Sequence, residues 1–138
     1  MFESLDISAS GLVAQRVRMD TIANNIASAD MTRARTDAAG QAVPYRRQFA
    51  VFAPATDAAG RAAGVRVAGV VEDSTDFRKG PYDPKHPDAA ADGHVYYPNV
   101  DMTTEYVNAL EATRAYQANI TAMDATKAMM AETLRLLA

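Results

Sequence analysis

The stretch MTTEYVNALEATRAYQANITAMDATKAMMAETLRLL, residues 102–137, decides the fold. Alternate steps of four and three residues from its start pick out Met102, Tyr106, Ala109, Thr113, Tyr116, Ile120, Met123, Lys127, Met130, Leu134 and Leu137. That spacing is a heptad stripe, and it predicts one uninterrupted helix carrying a seam for partner helices. Val107 and Leu110 widen the stripe near its start, so that end expects more than one neighbour. Asp101, just after Pro98-Asn99-Val100, suits an N-cap. Glu105 in the first turn and Arg135 in the last complement the helix dipole.

A weaker seam lies at the other end of the chain. Leu5, Leu12, Met19 and Ile26 recur every seven residues, with Ile22 between the last two, and predict a helix over Ser4 to Ala29. Ser8-Ala9-Ser10-Gly11 lowers its intrinsic helicity, so the helix needs a packing partner. The two seams invite the helices to pair with each other or with those of other chains.

Composition changes between them. From Thr36 to Pro98 the chain is rich in Ala, Gly, Asp and Pro. Tyr45 to Phe52 and Val65 to Val71 have strand character, and Thr56-Asp57-Ala58-Ala59-Gly60 between them supplies turn residues, which predicts a β-hairpin. Beyond Ser74, the prolines of Gly80-Pro81-Tyr82-Asp83-Pro84-Lys85-His86-Pro87 predict a long extended loop without a regular ladder. The expected fold is mainly α with a small β insert: long terminal helices as a coiled-coil-like pair, and a hairpin and loop between. Its parts are residues 1–34, 35–98 and 99–138.

Size and charge narrow the function. The C-terminal helix would be about 54 Å long at 1.5 Å per residue. A compact domain of this length is only about 35–40 Å across. The molecule is therefore elongated, with seam left over for other subunits. A net charge of −3 argues against nucleic-acid binding by bulk charge. The absence of cysteine removes disulfides, thiolate metal sites and thiol nucleophiles. Met1-Phe2-Glu3-Ser4-Leu5-Asp6 lacks the basic start and apolar run of a cleaved secretory signal, and no apolar run is long enough to span a bilayer.

Catalytic patterns are not found, and no catalytic, cofactor-binding or metal residue is assigned. His86 and His94 lie near Asp83, Asp88 and Asp92, but the spacing fits neither a zinc site nor a calcium loop, and a solvated turn explains them better. Arg33-Ala34-Arg35 and Tyr45-Arg46-Arg47 read most simply as a solvated helix end and strand edge. Contact with a carboxylate of a neighbouring subunit is the sharper reading. Lys127 is either a snorkelling stem or a polar position that sets register. The methionines suit adaptable packing. Asn24, Asn25 and Asn119 either bond across an interface or face water.

Ser10-Gly11-Leu12-Val13-Ala14-Gln15-Arg16, followed by Met19-Asp20-Thr21-Ile22-Ala23-Asn24-Asn25-Ile26-Ala27, resembles the N-terminal signature of the flagellar rod and hook axial proteins. Val71-Glu72-Asp73, Tyr82-Asp83-Pro84-Lys85-His86-Pro87-Asp88-Ala89, Gly93-His94-Val95-Tyr96-Tyr97-Pro98-Asn99-Val100-Asp101 and Arg114-Ala115-Tyr116-Gln117-Ala118-Asn119 resemble the proximal-rod members of that family. One departure is Ser28, where the family usually carries Asn at the end of the first helix; Asp30 is the residue placed to supply the turn chemistry instead.

The resemblance implies a non-enzymatic subunit of the basal-body rod in the periplasmic space, exported by the flagellar type III apparatus without signal cleavage. It implies helical stacking with like subunits and with the FliE, FlgB, FlgF and FlgG rod proteins, with no cofactor, nucleic acid or direct membrane insertion. Seams and resemblance together place the subunit interface at Leu5, Leu12, Met19, Ile22, Asn25, Ile26, Met102, Tyr106, Leu110, Arg114, Tyr116, Ile120, Met123, Lys127, Met130, Leu134 and Leu137. They place an inter-subunit loop at Tyr82, Asp83, Pro84, His86, Pro87, Tyr96, Tyr97, Pro98 and Asn99. The alternative is an export adaptor or regulator that uses the same helices to bind one partner transiently.

Overall fold

The computed structural model describes residues 2–137. The signal-peptide reading at Met1, and those that depend on the side chains of Phe2 and Leu137, lie outside the described residues. Helix α1 (Phe2–Ala27) is followed by β1 (Arg35–Thr36), β2 (Ala42–Val43), β3 (Gln48–Thr56), β4 (Ala62–Glu72), β5 (Arg78–Tyr82), β6 (His94–Tyr97) and α2 (Met102–Leu137). The strands pair as three separate antiparallel ribbons, β1–β2, β3–β4 and β5–β6.

The helices pack antiparallel. Asn25 meets Glu105, Arg18 pairs with Glu111 at 2.7 Å, and Gly11 lies against Asn119, so numbers fall along α1 as they rise along α2. The approach is close because the contact residues are small: Ala14 and Ala112 are buried, and a Cβ on Gly11 would sit 2.9 Å from the Asn119 side-chain oxygen. The other side of α1 is covered by the β3–β4 ribbon, where the Ser10 hydroxyl accepts the Val65 N–H at 3.1 Å. Gly64, at φ +102°, lies so near that any side chain there would collide with Ser10 Oγ. The Ser8–Gly11 segment, weak in helix propensity, is thus held between two close neighbours, β4 at Ser10 and α2 at Gly11.

The expected hairpin is present, but its first strand is shifted from Tyr45–Phe52 to Gln48–Thr56 and its second is lengthened to Ala62–Glu72. Its turn is held by Asp57, whose carboxylate accepts the N–H groups of Ala59 and Arg61 at 2.8 and 2.9 Å. Asp37 closes the β1–β2 turn in the same way, through Ala39 and Gln41 at 3.0 and 2.8 Å. The α1 exit is closed through the main chain, with Ser28 N–H donating to Asn24 and Met31 N–H to Ser28, each at 3.0 Å. Asp30 is exposed at this turn.

Two expectations are corrected. The segment after Ser74 is not a structureless loop: Arg78 pairs with Tyr97, Lys79 with Tyr96 and Tyr82 with His94. Pro81 falls in the register irregularity between Lys79 and Tyr82, where the ladder is already interrupted, so its missing N–H is tolerated. Nor are the arginine pairs simply solvated, because Arg33, Arg35 and Arg47 pair with Asp88, Glu72 and Glu105 of their own chain.

The seam on α2 also differs in phase. The positions at least half-buried include Met102, Glu105, Ala109, Ala112, Tyr116, Asn119, Met123, Thr126 and Met130. The period is the expected one, but every second member is one residue earlier. Tyr106, Thr113, Ile120, Lys127 and Leu134 therefore stand about 100° around the helix from the residues that pack, and all five are exposed. Close packing favours alanine and asparagine on the inner face, and a polar requirement at Glu105 sets its phase.

Candidate subunit interface and the polar clasp beneath it

The polar requirement begins where α1 ends and α2 starts. Asp101 is the N-cap: its carboxylate accepts the Thr103 N–H at 2.9 Å and the Thr104 hydroxyl at 3.0 Å. The Thr104 and Thr103 bonds hold its carboxyl below the usual aspartate range. One turn on, Glu105 points inward and is 0% exposed. Oε2 of Glu105 accepts the Asn25 amide at 3.0 Å, and Oε1 accepts the Arg47 Nε–H at 2.8 Å.

Asn25, also 0% exposed, is fully committed. Its Nδ2 donates to the Gln48 carbonyl at 2.7 Å and to Glu105, while Oδ1 accepts the Gln48 N–H at 2.9 Å and the Tyr45 hydroxyl at 3.0 Å. One side chain thus meets α2, β3 and the approach to β3. Burial first, then the Glu105 charge, raises the Tyr45 pKa. Burial alone would lower the Arg47 pKa, but the Glu105 hydrogen bond and charge, followed by those of Asp73, outweigh it and raise it.

The network continues outward. Arg47 Nη1 lies 3.3 Å from Asp73 Oδ2, and its backbone N–H donates to Asn99 Oδ1 at 2.8 Å. Asn99 Nδ2 donates to Thr75 Oγ1 at 2.8 Å. Arg46 donates to the carbonyls of Asp73 and Thr75 at 2.9 and 3.0 Å, and its guanidinium lies 4.4 Å from the Phe77 ring centre. Helix α1, the start of β3, the exit of β4 and the start of α2 are thus clasped by one network, along which Glu105, Arg47 and Asp73 alternate in charge.

This clasp takes several predicted interface residues into the chain's own interior. Asn25, Ile22 and Pro98 are buried, and Asn99 is drawn into the network. Leu5, Leu12, Met19, Ile26, Met102, Tyr116, Met123 and Met130 are half-buried. Left open on α2 are Tyr106 at 60%, Leu110 at 53% and Leu134 at 67%, together with Arg114, Ile120 and Lys127. In the loop, Tyr82, Asp83, Pro84 and Pro87 are exposed, whereas His86, Tyr96 and Tyr97 are half-buried. The Tyr82 ring meets His94 edge-on with centres 5.3 Å apart, and the Tyr96 hydroxyl donates to Asp92 at 3.0 Å.

Beside the clasp, a groove of about 350 Å³ opens between α1, β3 and α2, lined by Arg18, Ile22, Phe49, Phe52 and Asn108 among others. Among the described residues, no group of three or more acidic or histidine side chains is placed to hold a metal ion, and no helix is long and apolar enough to cross a membrane.

Sequence reasoning missed the partners of Glu105 and Arg47. The available signal was a carboxylate at Glu105 on the same helix face as Met102, Ala109 and Ala112, with Arg47 at the start of a predicted strand.

Residues 5–35 match the family described as flagella basal body rod protein, and residues 91–136 the family described as flagellar basal body rod FlgEFG protein C-terminal. The chain is 43% identical to the flagellar basal-body rod protein FlgC of Bacillus subtilis (strain 168), over 98% of this chain and 97% of that protein. It is 37% identical to FlgC of Borreliella burgdorferi, over 99% and 97%. Identity to FlgC of Salmonella typhimurium is 41%, over 95% and 93%.

Proposed function

The chain belongs to the FlgC family of flagellar basal-body rod proteins, and from there we propose that its terminal helices stack with those of neighbouring subunits to form the wall of the rod. It is a structural subunit of the flagellar basal-body rod. The observation that carries the stacking proposal is the open flank of α2, where Tyr106, Leu110, Ile120 and Leu134 stand exposed on a 36-residue helix that outruns its 26-residue partner. Burying a large apolar side chain of this kind at a neighbour contributes about 1.5–3 kcal/mol. Several per subunit, repeated around a helical assembly, hold it together.

In this proposal, residues 1–34 and 99–138 form a coiled-coil-like layer lining the export channel, and residues 35–98 lie outside and lock adjacent subunits. The remaining exposed and half-buried seam residues, from Leu5 and Leu12 to Lys127 and Met130, complete the contacts between helices. Tyr82, Asp83, Pro84 and Pro87 supply the outer contact. The clasp keeps each subunit rigid, so torque passes through many buried contacts. The neighbours are like subunits and the FliE, FlgB, FlgF and FlgG rod proteins. The subunit reaches the periplasmic rod through the flagellar type III apparatus without a cleaved signal, and its work is mechanical rather than catalytic.

Ile120→Asp tests this. It leaves the clasp intact and places a charge on the open flank, so export should continue while incorporation into basal bodies and swimming are lost. Normal swimming by that variant would overturn the stacking proposal.

A further inference from the structure

The hydrogen bonds of the two histidines assign them opposite proton positions. His86 Nδ1 accepts the backbone N–H of Asp88 at 3.0 Å, so that nitrogen holds a lone pair. His94 Nδ1 lies 3.1 Å from the Gly80 carbonyl oxygen, which only accepts, so that nitrogen carries a proton. A second proton therefore lands on different atoms of the two rings. On His94 it takes Nε2 and leaves the bond to Gly80 intact. On His86 it takes Nδ1 and sets N–H against N–H.

His86 occupies a tight turn, donating its N–H to the Asp83 carbonyl at 3.2 Å and accepting the Ala89 N–H at 3.0 Å. Asp88, which this turn positions, ties the β5–β6 ribbon to the exit of α1. Its Oδ2 accepts the Thr32 hydroxyl at 2.7 Å, and its Oδ1 accepts Arg33 Nε–H at 2.6 Å. Arg33 also donates to the Pro87 carbonyl at 3.0 Å.

Asp88 is the charged residue shown against the His86 ring; Asp83 and Lys85 share its turn, and Arg33 reaches that turn through Asp88 and the Pro87 carbonyl. A protonated ring loses the Asp88 N–H bond. If it swings toward the Asp88 carboxylate, it competes with Thr32 and Arg33 for the same oxygens. Both routes weaken the tie.

We propose that the His86 turn is an acid-operated catch: with a neutral ring it holds the tip of the β5–β6 ribbon to the α1 exit through Asp88, and a proton on Nδ1 releases it. Asp88 does not titrate in the same interval. Its carboxyl is held below the usual aspartate range, first by the Thr32 hydroxyl, against some burial, then by Arg33 and last by the charge of a protonated His86. Histidine ordinarily takes up its proton near pH 6.5, well above that range.

Amide hydrogen exchange of the full chain at pH 7.5 and 5.5, corrected for intrinsic rates, reads the catch. Protection over residues 83–93 should fall about tenfold or more at pH 5.5, while protection in the first half of α2 stays level. His86→Asn supplies a short side-chain acceptor for the amide two residues on and does not titrate, so its protection should be equal at the two pH values. Equal protection of the unsubstituted chain at both pH values, or a full pH response persisting in His86→Asn, would overturn the proposal. Imidazole ¹⁵N NMR at pH 7.5 gives an independent check: the bare nitrogen should be Nδ1 in His86 and Nε2 in His94. A proton on His86 Nδ1 at that pH would also overturn it.

Discussion

The two ends of α2 share a heptad period and differ in almost everything else. At its start, Asp101 caps the first turn and Glu105 is enclosed by Asn25 and Arg47, so the helix is anchored by groups of its own chain. At its far end, residues 131–136 are all exposed, with Leu134 and Leu136 at 67% and 80%. The difference teaches that the chain completes one end of its helix pair by itself and leaves the other open, which is the end that the stacking proposal gives to neighbouring subunits. Polar groups suit the closed end because they demand one geometry, whereas the apolar groups at the open end demand none.

Substitutions at the two ends should therefore separate stability from assembly. The largest loss of stability is expected from Glu105→Ala, which removes the carboxylate that Asn25 and half-buried Arg47 share and leaves the Arg47 charge only Asp73. Urea denaturation followed by far-UV circular dichroism should show a loss of about 3–5 kcal/mol, the usual cost of breaking a buried charge pair. A loss below about 1 kcal/mol would mean that the clasp is not the anchor. Next comes Gly64→Ala, where a positive φ and the Ser10 contact both oppose a side chain; the same measurement should report about 1–3 kcal/mol.

Acid should act on the closed end in a defined direction. Asp101 has a lowered folded-state pKa, caused first by the Thr104 hydroxyl and then by the Thr103 N–H. Asp73 is lowered first by the Thr75 N–H, with Arg47 contributing further. Both contribute stability that is present above the ordinary aspartate value and is lost as pH falls through the lower folded value. The share of the urea midpoint that these two carboxylates supply should therefore hold level down to about pH 4.5 and drop below about pH 4. In Asp101→Ala the drop should be shallower.

The smallest effect on stability is expected at the open end. Leu134→Asp should change the unfolding free energy of the isolated chain by no more than about 0.5 kcal/mol, yet reduce recovery of the subunit in purified basal bodies. A large stability loss there would erase the contrast between the two ends.

Much of the fold was legible because its causes are local. The Asp101 cap, the turn at Asp57 and the period along α2 are set by residues within a few positions of one another. The β5–β6 ribbon was harder to see, because Pro81 argues against a ladder and only the register irregularity around it makes the pairing tolerable. Of the candidate site, the exposed members Tyr106, Leu110, Ile120 and Leu134 were visible as apolar residues on a helix. Their exposure was not, because it depends on which side α1 takes.

By itself, the sequence determined the two long helices, their approximate ends and the hairpin between them, since capping, periodicity and turn chemistry act over short distances. Only the tertiary structure decided the phase of the seam. Glu105 turns inward because Asn25, 80 residues away, and Arg47, 58 residues away, meet it there. A buried carboxylate must be paired, and no local pattern reveals where its partners will stand. That single requirement, with Ala14 against Ala112 and Gly11 against Asn119 allowing close approach, turns Tyr106, Ile120 and Leu134 outward.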